Sequence, residues 1–169
     1  MSDFRPPAWI ANRHLQSVLP SLPFRRMSVE RRARAVLAAS KPLVLDCGEG
    51  VRLLGLHAAP APGAESSPRR LAVLLHGWEG SADSLYLISV AGLLHARGFD
   101  VLRLNLRDHG GTHALNRELF HSCRLPEVVG AVACAARLFP THRLMLAGFS
   151  LGANFCLRVG AKARAAGIR

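Results

Sequence analysis

Residues 148–152, Gly-Phe-Ser-Leu-Gly, set one serine between two glycines at the spacing G-x-S-x-G. The apolar run Leu144-Met145-Leu146-Ala147 leads into it, and Ala153 to Ala166 behind it reads as a helix. A serine on a sharp strand-to-helix turn lifts its hydroxyl above a sheet, where it can attack an acyl carbon. Such a turn crowds its own backbone, so only small residues fit at Gly148 and Gly152. The helix start then points free N–H groups toward developing negative charge. The competing reading is that Ser150 merely caps the helix.

A second segment suits the same chemistry. His76-Gly77-Trp78-Glu79-Gly80 closes the apolar run Leu71 to Leu75. An acyl-transfer serine needs two donors for its oxyanion. One is the N–H after the nucleophile, here Leu151, and the other comes from a loop after an earlier strand, here Trp78. Gly77 and Gly80 let that backbone turn inward where a side chain would block it. His76, directly before the loop glycine, reads as a brace rather than a base. His109 and His113 stand four apart, but Gly110 and Gly111 between them remove the helix a metal pair would use. We expect no metal and no cofactor. Asp108 with Arg107 reads as an ion pair or a turn cap, and His121 and His142 as surface histidines.

These groups need a frame. Residues 1–40 read as an irregular arm with one basic helix, Val29 to Ala39, because Pro6, Pro7, Pro20 and Pro23 interrupt longer elements. Leu43 to Asp46 and Val51 to His57 flank Gly48-Glu49-Gly50 as an antiparallel hairpin. Ala58 to Arg70 is a loop rich in Ala, Pro, Gly and Ser. Strands follow at Leu71 to Leu75, Phe99 to Leu104 and Arg143 to Ala147. Helices follow at about residues 81–97, capped by Ser81 or Asp83, and at Glu127 to Phe139. Strand and helix alternating at this spacing build a mostly parallel sheet flanked by helices.

Composition sets the outer limits. The chain has 169 residues, half of them hydrophobic and a fifth charged, which suits a packed domain rather than a solvated tail. Twenty-two Lys and Arg against 11 Asp and Glu give +11. The arginines are spread along the chain and not interleaved with aromatics, so we expect no nucleic-acid partner. The cluster Arg25, Arg26, Arg31, Arg32 and Arg34 could rest weakly on an anionic membrane surface. Cys47, Cys123, Cys134 and Cys156 form no C-x-x-C pair and read as buried, reduced thiols of a cytoplasmic protein. The longest apolar stretch, Val128 to Ala136, is far short of the roughly twenty residues a membrane helix needs.

Three blocks in order, His76 to Ser81, Arg103 to His113 and Gly148 to Asn154, join Asn12-Arg13-His14-Leu15-Gln16-Ser17 in a further pattern. Together they resemble the α/β-hydrolase superfamily. The similar branch includes embryogenesis-associated proteins, short-chain lipid esterases and medium-chain ethyl-ester-forming enzymes. Asn105-Leu106-Arg107-Asp108-His109-Gly110-Gly111 is the most specific block. Trp78 departs from the commoner Phe and Ala153 from a frequent Gly, and neither change touches a backbone donor. The resemblance implies an α/β-hydrolase fold with Ser150 as nucleophile and Trp78 and Leu151 as oxyanion donors. It implies a serine hydrolase acting on a small-molecule or lipid ester. Acyl transfer to an alcohol and a catalytically inert scaffold are the alternatives.

That fold supplies its triad in the order nucleophile, acid, histidine. After Ser150 the sequence holds no Asp, Glu or His. We therefore expect residues 41–169 to be the N-terminal half of an incomplete domain, truncated after the nucleophile helix and inactive as it stands. The acid and histidine would lie past Arg169.

Overall fold

The computed structural model describes residues 5–19 and 24–168. Five strands, β1 (Lys41–Asp46), β2 (Arg52–Ala58), β3 (Arg70–Leu75), β4 (Asp100–Leu104) and β5 (Arg143–Gly148), form one sheet in the order β1-β2-β4-β3-β5. β1 pairs antiparallel with β2 and β2 antiparallel with β4, whereas β3 pairs parallel with both β4 and β5. Four strands thus point one way and β2 alone runs against them. The expected hairpin is present, turning through Gly48 (φ +88), Glu49 and Gly50 (φ +75). Positive φ is the conformation glycine adopts without strain.

Side-chain alternation splits the apolar residues between two faces. Leu71, Val73, Leu75, Leu102 and Leu104 pack with α5 (Leu125–Leu138) and α6 (Leu151–Lys162). Ala72, Leu74 and Val101 pack with α4 (Leu85–His95) and with Ala33 and Val36 of the N-terminal segment. β3 and β4 are buried along nearly their whole length, as a strand covered on both faces must be.

The basic helix of the arm is divided, into α2 (Phe24–Arg32) and α3 (Arg34–Ala39), after a short α1 (Arg13–Val18). The break falls at Ala33, where a Cβ on Gly92 of α4 would lie 3.0 Å from the Ala33 Cα. Close approach of helix to helix fixes that point. Pro20 and Pro23, expected to interrupt the arm, lie outside the described residues. Helix α4 begins after Ser84 rather than Ser81 or Asp83, and Ser84 Oγ accepts from Ser81 N instead of capping the helix. Among the described residues no helix is long and apolar enough to cross a membrane.

Candidate active site

Because β3 and β5 run parallel and in register, their C-terminal ends lie side by side, with Leu75 opposite Gly148. The His76 loop and the Ser150 turn therefore emerge together. Ser150 is exposed and sits in a strained conformation, φ 52 and ψ −116, directly ahead of α6. A non-glycine residue held at such dihedrals marks a site where surrounding structure over-determines the backbone. Its side chain makes no capping hydrogen bond to α6, so the simple helix-cap reading does not hold. The turn closes through Gly152 N donating to Phe149 O at 2.9 Å, while Phe149 N donates to Leu75 O at 3.1 Å.

The glycines around Ser150 are required by space. A Cβ on Gly148 would overlap the Gly152 carbonyl, and a Cβ on Gly152 would overlap the backbone oxygens of Leu75 and His76. Gly77 is nearly as close, since a Cβ there would stand 3.4 Å from Ser150 Cβ. The residue after Gly77 is Trp78. Among the described residues the Trp78 and Leu151 N–H groups have no acceptor, whereas Gly77 N is taken by Tyr86 Oη at 3.0 Å. Two backbone N–H groups without an acceptor among the described residues thus belong to the residue after Ser150 and the residue after Gly77. Helix α6 adds the positive end of its dipole at the same place.

His76 is fully buried and both its ring nitrogens are engaged. Nδ1–H donates to Gly77 O at 2.6 Å and Nε2 accepts from Leu106 N at 3.1 Å. Burial pushes its pKa down to about 4, with nearby His109 adding to that shift and the bond to Gly77 opposing it. A neutral imidazole with no free nitrogen braces the loop and has no base to offer. Among the described residues no imidazole hydrogen-bonds Ser150. Two of the four thiols are held in the un-ionised form, for burial pushes Cys47 up to about 12 and Cys156 up to about 11.

Other residues depart from the sequence reading. Arg107 does not pair with Asp108; its Nη2 and Nε reach Glu127 Oε2 at 2.7 and 2.9 Å, both side chains buried. Asp108 instead accepts from Phe120 N at 2.6 Å, twelve residues on, which ties two distant parts of the loop together rather than capping a turn. His142 is not a surface residue, for its side chain is 6% exposed and meets Asp100 Oδ2 at 3.0 Å. Of the four free cysteines Cys123 is exposed rather than buried. Phe120 and Phe155, to which nothing in the sequence drew attention, join Trp78 and His109 in an aromatic cluster. Trp78, 61% exposed, stands edge-on to Phe120, which in turn packs on His109 and Phe155.

A family model described as the alpha/beta hydrolase fold matches residues 72–166, more than half of the sequence. The chain belongs to this family. Its structure is similar to an α/β serine hydrolase without a lid from Xanthomonas campestris, with TM-score 0.59 and 28% identity over 74% of this chain and 57% of that one. An esterase of Pyrococcus furiosus has TM-score 0.58 and 22% identity, over 70% and 45% of the two chains. A dienelactone hydrolase of Anabaena variabilis has TM-score 0.61 and 20% identity, over 75% and 59%. The chain thus spans about half the length of these similar structures. No curated protein matches it.

Proposed function

We propose that the protein is a serine hydrolase of carboxylic esters, with Ser150 as the nucleophile that forms an acyl-enzyme. The observation that carries this reading is the strained, exposed Ser150 (φ 52) on the turn beside the Gly77 loop, together with the Trp78 and Leu151 N–H groups, which have no acceptor among the described residues. As the carbonyl becomes tetrahedral, its oxygen takes charge, and donors already aimed at that position stabilise it by roughly 3–4 kcal/mol each. The 28% identical serine hydrolase supports the reaction class.

In this reading the general base and the acid that orients it are not among these 169 residues, since nothing after Ser150 can supply them. The substrate is a small-molecule or lipid ester, of the kind taken by short-chain lipid esterases and ethyl-ester-forming enzymes. An acyl-enzyme can equally pass its acyl group to an alcohol, so acyl transfer shares every residue named here. Exposed Arg25, Arg31 and Arg32 of α2 would hold the protein near anionic lipid, and four unpaired cysteines suit the cytoplasm. A fluorophosphonate probe tests the central claim. With free imidazole added in place of the base this stretch does not hold, covalent labelling at Ser150, absent in Ser150→Ala, is expected; a folded chain that never labels even then supports an inert scaffold.

A further inference from the structure

Besides Asp100 at its start, strand β4 and its end carry two buried polar side chains that this chemistry leaves unused, Arg103 and Asn105. Arg103 is 1% exposed, and burial lowers its pKa while Asp83 opposes the shift. A guanidinium removed from water is costly unless its donors are met. Its ion-pair partner Asp83, at 3.2 Å, has a side chain 62% exposed and compensates the charge poorly. Charge pairing alone therefore does not explain why Arg103 is there.

Its hydrogen bonds do. Nη1 donates to Ala82 O at 2.6 Å, and Nη2 donates to Ser40 Oγ at 3.1 Å. Ser40 is anchored in turn, its hydroxyl donating to Val36 O at 2.7 Å. From the next position on the same side of the chain, Asn105 Oδ1 accepts from Ala82 N at 2.7 Å. Both main-chain groups of one buried residue are thus held by two side chains from β4 and its end. Ala82 closes the loop that starts at Gly77 and carries Trp78. Tyr86 Oη holds the near end at Gly77 N, and a turn from Gly80 N to Gly77 O (3.1 Å) shapes the middle.

We infer that Arg103 and Asn105 are positioning residues, which grip Ala82 and so set the loop that aims the Trp78 N–H at the acyl oxygen on Ser150. The inference rests on the proposed role of Trp78. An oxyanion donor must stand within a few tenths of an ångström of its place to be effective, and a loop gripped at one end only would not keep it there.

The test uses the whole chain with Asn105→Leu, Asn105→Asp and Arg103→Met, read by amide hydrogen exchange and by fluorophosphonate labelling of Ser150 with free imidazole supplied as the base. In Asn105→Leu and Arg103→Met, amides 77–84 are expected to exchange about tenfold faster, with β3 and α5 unchanged within about twofold. The maximal labelling rate should fall about tenfold at an unchanged half-saturating probe concentration. Asn105→Asp keeps an acceptor for Ala82 N and should restore both. Unchanged loop exchange, equal acceleration everywhere, or no rescue by Asp overturns the inference. Should Arg103→Met not fold, the two Asn105 variants decide. Expected loop exchange with no labelling even of the unmutated chain overturns the nucleophile reading, and with it the catalytic purpose of the grip.

Discussion

Gly148 faces Gly152 across the turn at Ser150, so closely that a Cβ on the first would overlap the carbonyl of the second. The obstacle in both directions is backbone, which cannot rotate aside as a side chain can. Gly152→Ala would press on the carbonyls of Leu75 and His76, at the end of β3. We expect a loss of about 2–3 kcal/mol, the cost of overpacking a rigid neighbourhood. Urea unfolding of Gly152→Ala measures it, with Gly160→Ala as the control. Gly160 lies in the same helix with open space around it, so its substitution should not destabilise.

Ser150 itself stores strain. At φ 52 and ψ −116 an L side chain is unfavourable and glycine is not. Ser150→Gly should therefore raise stability by about 1 kcal/mol relative to Ser150→Ala, while both abolish probe labelling. Thermal unfolding of the pair checks this. Equal melting temperatures would mean that the turn is relaxed, and the elbow would lose its strongest local signature.

At the opposite end of the sheet Asp100 bridges two imidazoles, His57 Nε2 at 2.9 Å and His142 Nε2 at 3.0 Å. The cluster ties β2, β4 and the approach to β5 together. Asp100→Leu leaves two largely buried rings without their partner, and we expect a loss of about 2–4 kcal/mol. Because Asp100 starts β4 and Ser150 follows the far end of β5, any labelling of Ser150 should persist in the folded variant. Labelling lost while the fold is kept would mean that the cluster reaches the site.

What could be read in advance follows from how local each signal is. Leu71 to Leu75 announces a doubly covered strand within five residues, and the G-x-S-x-G turn states its own spatial requirement within five more. His142 could not be placed that way. Its burial depends on Asp100, 42 residues earlier, and nothing beside it in sequence marks the contact. Arg107 was misassigned to its neighbour Asp108 for the same reason, since Glu127 is brought to it only when α5 packs. Arg103 and Asn105 stand inside the family block Arg103 to His113, yet their common target, Ala82, is visible only in three dimensions. The serine and its glycines are legible; the supports that hold the loop from Gly77 to Ala82 are not.

His76 gives the protein a pH dependence whose direction is fixed by its burial. In the folded chain it stays neutral down to about pH 4, against an ordinary value of 6.5. The unfolded chain therefore takes up a proton between these values that the folded chain refuses. Stability is lost as pH falls through that window, and this group adds no slope above 6.5 or below 4. The whole effect is of order 3 kcal/mol. His76→Gln removes the titrating group, so the variant should be less stable than the parent at pH 7, because it loses the brace to Leu106 or to Gly77. The gap should narrow as the pH is lowered toward 4. Urea midpoints at neutral and acid pH measure both. Parallel pH profiles for the two proteins would show that folding leaves the His76 pKa where it is in the unfolded chain, and its role as a buried, neutral brace would have to be abandoned.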